Sequence, residues 1–441
     1  MLHIHDEAVR AVLLQGHFGL ERETLRVTQE GFLSHERNPF GESEHIVRDF
    51  SENQVEINTS VCDTPEEAVA ELVHYDALVQ RQLAVMKEPE LLWPFSNPPY
   101  IRNERDIPIA QFEGELAFKT AYREHLANTY GRYKMAFSGI HFNFSFGEDL
   151  FEADFAATGR PEQEYAAYKD EVYLGLAEQC VRWGWLMTAI TAASPLLDSS
   201  YVEKGKMGQD LFMGIATVRC SELGYWNAFV PILDYRSMPA YAQSIQQYVD
   251  QQLIVYPSEL YYPIRLKPRG RYGIQELAAG GVSHIELRMF DLNPLEPSLV
   301  NVEDVRFGQL FLLWLAGMPR KPLTVKDQVH AVQNFKSAAH YDLKTVQLVA
   351  EDGPSCSFAA AALRAIDQMD QYFRDCGDEV YRQVKACLAF QRSKFEEQEN
   401  RYPWMIRERF SDGFVNKGLE LARQHQRTCV FGSDVDAGSG I

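Results

Sequence analysis

The sequence predicts an α+β protein: a mainly antiparallel sheet with helices packed outside it. Four segments alternate between apolar and polar residues, the period-two pattern of a strand with one face in the core. Their polarity is one-sided. Parallel strands are usually apolar on both faces, so these segments belong to antiparallel pairs even though long helices separate them. From Val302 onward the periodicity becomes helical, with runs such as 305–316, 358–373 and 380–395.

An amphipathic segment, about 5–14, precedes the first strand. That strand holds Gly19-Leu20-Glu21-Arg22-Glu23-Thr24-Leu25-Arg26-Val27. Glu21 and Glu23 share a face, about 7 Å apart, while Leu20, Thr24 and the two arginines point the other way or into turns. The second strand, in 48–59, sets Val55, Ile57 and Thr59 against Gln54, Glu56 and Asn58, with Asp49 just before it. Thr64-Pro65-Glu66-Glu67 reads as an N-cap, a proline at the first helical position and a capping-box Glu. The helix it opens runs to about Lys87, with Ala68, Leu72, Tyr75, Leu78 and Leu83 inward. Asn97-Pro98-Pro99-Tyr100 is a stiff loop, and helix follows over about 114–130. The third strand, 138–146, sets Ile140, Phe142, Phe144 and Phe146 against Gly139, His141, Asn143 and Ser145. Residues 161–192 are helical. The apolar stretch 183–197 is shorter than the ~18 residues of a membrane span and reads as a buried helix. The fourth strand, 283–290, sets Ile285, Leu287 and Met289 against His284, Glu286 and Arg288.

The 441 residues, 46% hydrophobic, suffice for a sizeable core. We expect one catalytic domain over 1–426 and a frayed tail over 427–441; the tail's Asp-Gly stretch lacks the closing Glu of a calcium loop. A formal net charge of −19 argues against nucleic acid or an anionic membrane as partner. Seven scattered cysteines without a Cys-x-x-Cys fit a reducing cytosol and argue against structural zinc. Residues 1–5 lack a basic region leading into an apolar one, so no signal peptide is expected and the expected location is cytoplasmic.

A lone Glu-x-Glu is usually a solvated strand face. Here the four polar faces together carry Glu21, Glu23, Glu56, His141, Asn143, Glu286 and Arg288, and no lysine. Like charges on one face call for a cation between them, and oxygen-rich donors suit a hard divalent ion such as Mg²⁺. Arg288 suits a phosphate, because its planar fork pairs with oxyanions. No Gly-x-x-x-x-Gly-Lys-Ser/Thr loop is present, so phosphates are not held in the P-loop manner.

Nearly end to end, the chain resembles bacterial glutamate–cysteine ligase (γ-glutamylcysteine synthetase). The resemblance rests on Gly19-Leu20-Glu21-Arg22-Glu23, Trp93-Pro94-Phe95-Ser96, Tyr122-Arg123-Glu124, the 138–145 strand, Ala193-Ser194-Pro195, Val218-Arg219-Cys220-Ser221-Glu222-Leu223-Gly224-Tyr225, Tyr261-Tyr262-Pro263-Ile264-Arg265, and Ile285-Glu286-Leu287-Arg288 followed by Asp291-Leu292-Asn293-Pro294. It implies a curved antiparallel sheet forming an active-site funnel, similar to the glutamine synthetase catalytic fold. It further implies ATP-dependent ligation of the glutamate γ-carboxylate to cysteine through an acyl phosphate, the first step of glutathione synthesis. Glu21, Glu23, Asp49, Glu56, His141 and Glu286 map onto the family's set for Mg²⁺ or Mn²⁺. Arg288, Arg219 and Arg123 are implied to contact phosphate or substrate carboxylate, and Asn143 to orient substrate or nucleotide. Phe50, Tyr122, Tyr225 and Tyr261 are implied to form the cysteine pocket. Some relatives carry a further ATP-grasp module, which this sequence does not include, so glutathione itself is expected to be made by another protein. Competing readings are a ligase using another amine, a non-catalytic glutamate or nucleotide binder, and a metal-dependent phosphohydrolase.

Overall fold

Strand β1 (Gly16–Val27) is twelve residues long and organises the sheet. It pairs antiparallel with β3 (Gln54–Asn58) on one side and β5 (Ile140–Phe146) on the other. Edge strand β2 (Ile46–Arg48) joins β3. On the other side β9 (His284–Phe290) joins β5, and β8 (Ile264–Lys267) closes the row. The order is β2-β3-β1-β5-β9-β8, with the short β4 (Leu91–Leu92) on the far end of β1, and the sheet is open. Every pairing is antiparallel, as the one-sided polarity predicts. A separate two-stranded sheet joins β6 (Leu197–Asp198) and β7 (Asp210–Leu211). This computed structural model describes residues 2–41, 43–224, 226–270, 273–350 and 354–432.

Helices cover the apolar face. They include α1 (Glu7–Val12), α2 (Pro65–Ala84), α4 (Glu148–Thr158), α5 (Tyr165–Trp183), α6 (Trp185–Thr191) and the helix Val302–Ala316, whereas α3 (Ala117–Tyr130) packs in a second cluster beside the Asp49 segment. Leu20, Ile57, Phe142 and Leu287 of the sheet share one core with Leu72 of α2, Leu174 of α5, Leu186 of α6 and Phe307. The helix Val302–Ala316 comes so close at Gly308 that a Cβ there would lie 2.9 Å from the Phe142 ring. The helix-rich second half also matches expectation, with helices at Phe358–Asp375 and Asp378–Glu396.

Helix α2 departs from its sequence reading. Thr64 caps it and Pro65 begins it as expected, but it ends at Ala84 and Leu78 is 41% exposed. The buried stripe is Ala68, Leu72, Asp76, Val79 and Leu83. Asp76 sits in that stripe because Arg22, on the core face of β1, is fully buried and ion-paired to it. An apolar-only reading of the helix could not see this polar member. At the C-terminus the last helix, Phe414–Phe431, extends past the expected boundary at 427, and residues 433–441 lie outside the described residues. Among the described residues no helix is long and apolar enough to cross a membrane.

Candidate metal and phosphate site

Strand register brings the predicted side chains together on the face opposite the core. Glu21 lies opposite His141, Glu23 opposite Glu56, and Asn143 opposite Glu286. The β5–β9 register shifts between Ile140 and Phe142. His141 therefore sits at a bulge, a common device for re-aiming a side chain beside a site. Its Nδ1 hydrogen-bonds Glu21 at 3.0 Å and stands 3.6 Å from Glu286, while Nε2 stands 3.7 Å from Glu23. Asn143 donates to the other Glu21 oxygen at 2.9 Å. One ligand atom each from Glu21, His141 and Glu286 lie within 4.8 Å of one another.

The electrostatics divide the carboxylates into two groups. Burial pushes Glu286 up, but Arg288, Lys267 and Arg265 outweigh it and hold the carboxyl well below its ordinary range. Those cations stand at 3.0, 3.4 and 3.5 Å. Glu21 is likewise pushed up by burial and by Glu286 but ends below its ordinary value through the His141 hydrogen bond. Burial and then the Asp49 charge raise Glu23 to about 8. Burial, Asp49, Glu21 and Glu23 raise Glu56 well above the carboxylate range. Glu23, Asp49 and Glu56 thus form a crowded acidic group beside the tighter Glu21–His141–Glu286 cluster. Burial and Arg288 lower His141, so its imidazole is neutral near pH 7. With Nδ1–H donating to Glu21, the lone pair is on Nε2.

Three buried atoms here lack a hydrogen-bond partner within the protein: His141 Nε2, Asn143 Oδ1 and Glu286 Oε2. A neutral imidazole nitrogen, a carboxylate oxygen without a hydrogen bond, and carboxylates raised by burial and by one another fit a divalent cation. The same donors would be an unfavourable arrangement without one.

The arginines fall in different places. Arg288 and Arg219 line an apolar cavity with about 510 Å³ of empty space, together with Cys220, Trp226, Tyr261 and Met289. Arg219 lies against the backbone at Gly139, where a Cβ would overlap its guanidinium, and donates to the Phe290 carbonyl at 3.2 Å. Arg123 donates to the backbone carbonyls of Asp49, of Lys119 at 3.2 Å and of Arg48 at 3.4 Å, which ties α3 to the Asp49 segment. The Tyr122 phenol accepts from Ser258 at 3.3 Å, and burial pushes it up to about 12. Phe50 is buried in a second apolar cluster around Trp93 and Phe95 and does not line the cavity. Tyr225 lies outside the described residues. Burial raises the Cys220 thiol to about 11, as suits packing rather than nucleophilic chemistry.

Sequence reasoning missed β8, whose Arg265 and Lys267 both pair with Glu286. The alternation Ile264-Arg265-Leu266-Lys267 was its only signal, and it is four residues long. Asp291 was also missed as an organiser. Its buried carboxylate accepts from Ala193 N–H at 2.9 Å, Ser194 at 2.7 Å and Thr217 at 2.9 Å, joining the Ala193-Ser194-Pro195 motif and the residue before Val218 to its own motif.

A carboxylate–imidazole cluster flanked by arginines thus lies on the polar face of an antiparallel sheet, a donor set that could hold a divalent ion. The chain belongs to the glutamate–cysteine ligase family, whose model matches residues 1–258 and 231–338. It is 32% identical over 433 residues to the glutathione biosynthesis bifunctional protein of Listeria monocytogenes, covering 95% of this chain and 56% of that one. The corresponding protein of Clostridium perfringens is 31% identical over 441 residues, covering 96% and 55%. The chain thus spans about half the length of these curated relatives. Among solved structures, the glutamate–cysteine ligase of Francisella tularensis in complex with AMP superposes with a TM-score of 0.84 at 22% identity, covering 95% of this chain and 89% of that one. A bifunctional glutathione synthetase from Pasteurella multocida superposes with a TM-score of 0.82 at 24% identity, covering 97% and 54%. At these identities the superpositions establish the fold.

Proposed function

We propose that this chain joins the γ-carboxylate of glutamate to the amine of cysteine at the expense of ATP, through a γ-glutamyl phosphate. The observation that carries the reading is the convergence of Glu21, His141 and Glu286 beside Arg288 and the Arg219 cavity, in a member of this family. Glu21, His141 and Glu286, with Glu23, Asp49 and Glu56 beside them, would hold divalent ions, Mg²⁺ or Mn²⁺. Such ions neutralise phosphate charge and draw electrons from the transferred group.

The chain's own residues supply the rest. Arg288 is held by Glu286 and lines the cavity in which the transferring phosphoryl group would gather charge. Arg219 reaches the same space from the cavity wall. Asn143, held by Glu21, presents its carbonyl oxygen, a buried acceptor without a partner in the protein, to a substrate donor. A larger cleft is lined by His17 and Ser145 of the same sheet face and by Lys169, Arg269, Glu148 and Asp170 among others, and it offers room for the nucleotide. Tyr261 lines the cavity and Tyr122 packs against the same apolar cluster behind it; together they would wall the acceptor side, where apolar surface would keep water from the acyl phosphate. All seven cysteines are free thiols, in keeping with a reducing cytosol, and we read 1–426 as one catalytic unit.

The test is direct. Protein, Mg²⁺, ATP and glutamate are mixed with each of a panel of amines, and ADP release and product mass are followed. Cysteine should be preferred, with one ADP per γ-glutamyl bond. A clear preference for another amine would reject cysteine and leave the ligase reading standing. ADP release without an amide product would reject ligation.

A further inference from the structure

The acceptor-side wall is built on the 255–261 turn, and that turn hangs on one buried carboxylate. Glu259 is 1% exposed. His125 Nε2 of α3 donates to its two oxygens at 3.1 and 3.2 Å. Tyr130, at the end of the same helix, donates at 3.0 Å. The fourth contact is local: the Val255 N–H donates at 2.7 Å and closes the turn. A buried carboxylate with donors from two elements is a strong tether, because each bond is charge-assisted and the loss of one leaves a buried group unsatisfied.

The tether has two extensions. Asn227, itself buried, donates to the Tyr130 phenol and to the Glu259 carbonyl, both at 3.0 Å, and accepts from the Tyr261 N–H at 2.8 Å. On the other side, Arg265 donates to the Ser258 and Leu260 carbonyls at 3.1 and 3.3 Å, while its second terminal nitrogen faces Glu286 at 3.5 Å. The two aromatic walls meet across this join: Tyr122 packs edge-on against Tyr256 at 5.0 Å, and Tyr130 against Tyr261 at 5.1 Å.

We propose that Glu259 is a positioning residue for the amine acceptor, clamping the 255–261 turn to α3 so that Tyr122 and Tyr261 hold a fixed spacing beside the Glu286 cluster. This rests on the ligase reading above. Glu259 touches no reacting atom. It sets the shape of the wall against which the acceptor is pressed, so its loss weakens acceptor binding more than phosphoryl transfer.

The experiment uses Glu259→Gln in the full chain. The amide keeps the shape but replaces an acceptor oxygen by an NH₂ facing N–H donors. KM for the amine that the parent turns over should rise about tenfold, the size expected for one charge-assisted hydrogen bond lost. Turnover and the KM values for ATP and glutamate should stay within about threefold, a split that general destabilisation would not produce. Tyr130→Phe removes one donor to Glu259 and the acceptor of one Asn227 N–H, keeps the carboxylate and its other donors, and should shift the same KM in the same direction, which covers the case in which the Gln variant folds poorly. Amide hydrogen exchange reads the clamp without catalysis: both variants should lose protection together in 255–261 and in α3, with the sheet unchanged. Absence of ligation by the parent would sink the functional reading alone. Unchanged acceptor KM, or unchanged exchange at both segments, would overturn the clamp.

Discussion

Replacing Arg288 by alanine separates transition-state chemistry from folding, and the structure indicates how large each effect should be. Arg288 is 16% exposed and donates to the fully buried Glu286 at 3.0 Å. Stripping a buried carboxylate of its only cation typically costs about 3–5 kcal/mol. Glu286 keeps Lys267 at 3.4 Å and Arg265 at 3.5 Å, so the cost here should be roughly 1–2 kcal/mol, a few degrees of Tm at most. The catalytic loss should be larger. A preorganised donor aimed at developing charge is typically worth ~10²–10³ in rate, or about 3–4 kcal/mol. Lysine should recover only part of it, since a point charge lacks the planar fork. The assay is steady-state ADP release for Arg288→Ala and Arg288→Lys, with circular dichroism and thermal melts as fold controls. If alanine retains turnover within a few-fold of the parent, Arg288 serves the Glu286 ion pair and the phosphate assignment is wrong.

Four further outcomes follow from the same geometry. Glu21→Gln should abolish turnover with the melt nearly unchanged, and EDTA should silence the parent; full activity in EDTA would remove the metal from the reading. Because burial and Asp49 raise Glu23 to about 8 in the fold, above its ordinary 4.5, its protonated form stabilises the metal-free protein below the ordinary value, and that stability, a few kcal/mol at most, is lost as pH rises through about 8. The Mg²⁺-induced rise in Tm should therefore be larger near pH 9 than near pH 5, and equal shifts would contradict it. Asp76→Ala should cost about 3–5 kcal/mol in urea unfolding by stranding the buried Arg22, and Arg22→Met with Asp76→Leu should regain most of it. Gly139→Ala should cut turnover about tenfold by displacing Arg219, with little change in stability, since its backbone tolerates a side chain and the three nearest atoms a Cβ would meet all belong to the guanidinium.

Much of the site was legible because strand alternation is a local property of the backbone. Once 19–27, 138–146 and 283–290 were read as strands, Glu21, Glu23, His141, Asn143, Glu286 and Arg288 had to fall on polar faces. The one-sidedness of those faces also required antiparallel pairing. What local pattern cannot carry is which strands are neighbours and in what register. The bulge at His141, the approach of Lys267 and Arg265 to Glu286, and the Asp291 scaffold all join residues distant in sequence. Burial is equally non-local. Glu21 and Glu23 are two residues apart on one strand face, yet one carboxyl is held low by His141 and the other raised by burial and Asp49. Arg22 reads as an ordinary strand arginine until Asp76 is found facing it across the core. Residue types and faces were thus determined by the sequence alone. Charge states, pairings and the clamp on the acceptor wall were decided by tertiary structure, because electrostatic energies depend on distance and dielectric rather than on position along the chain.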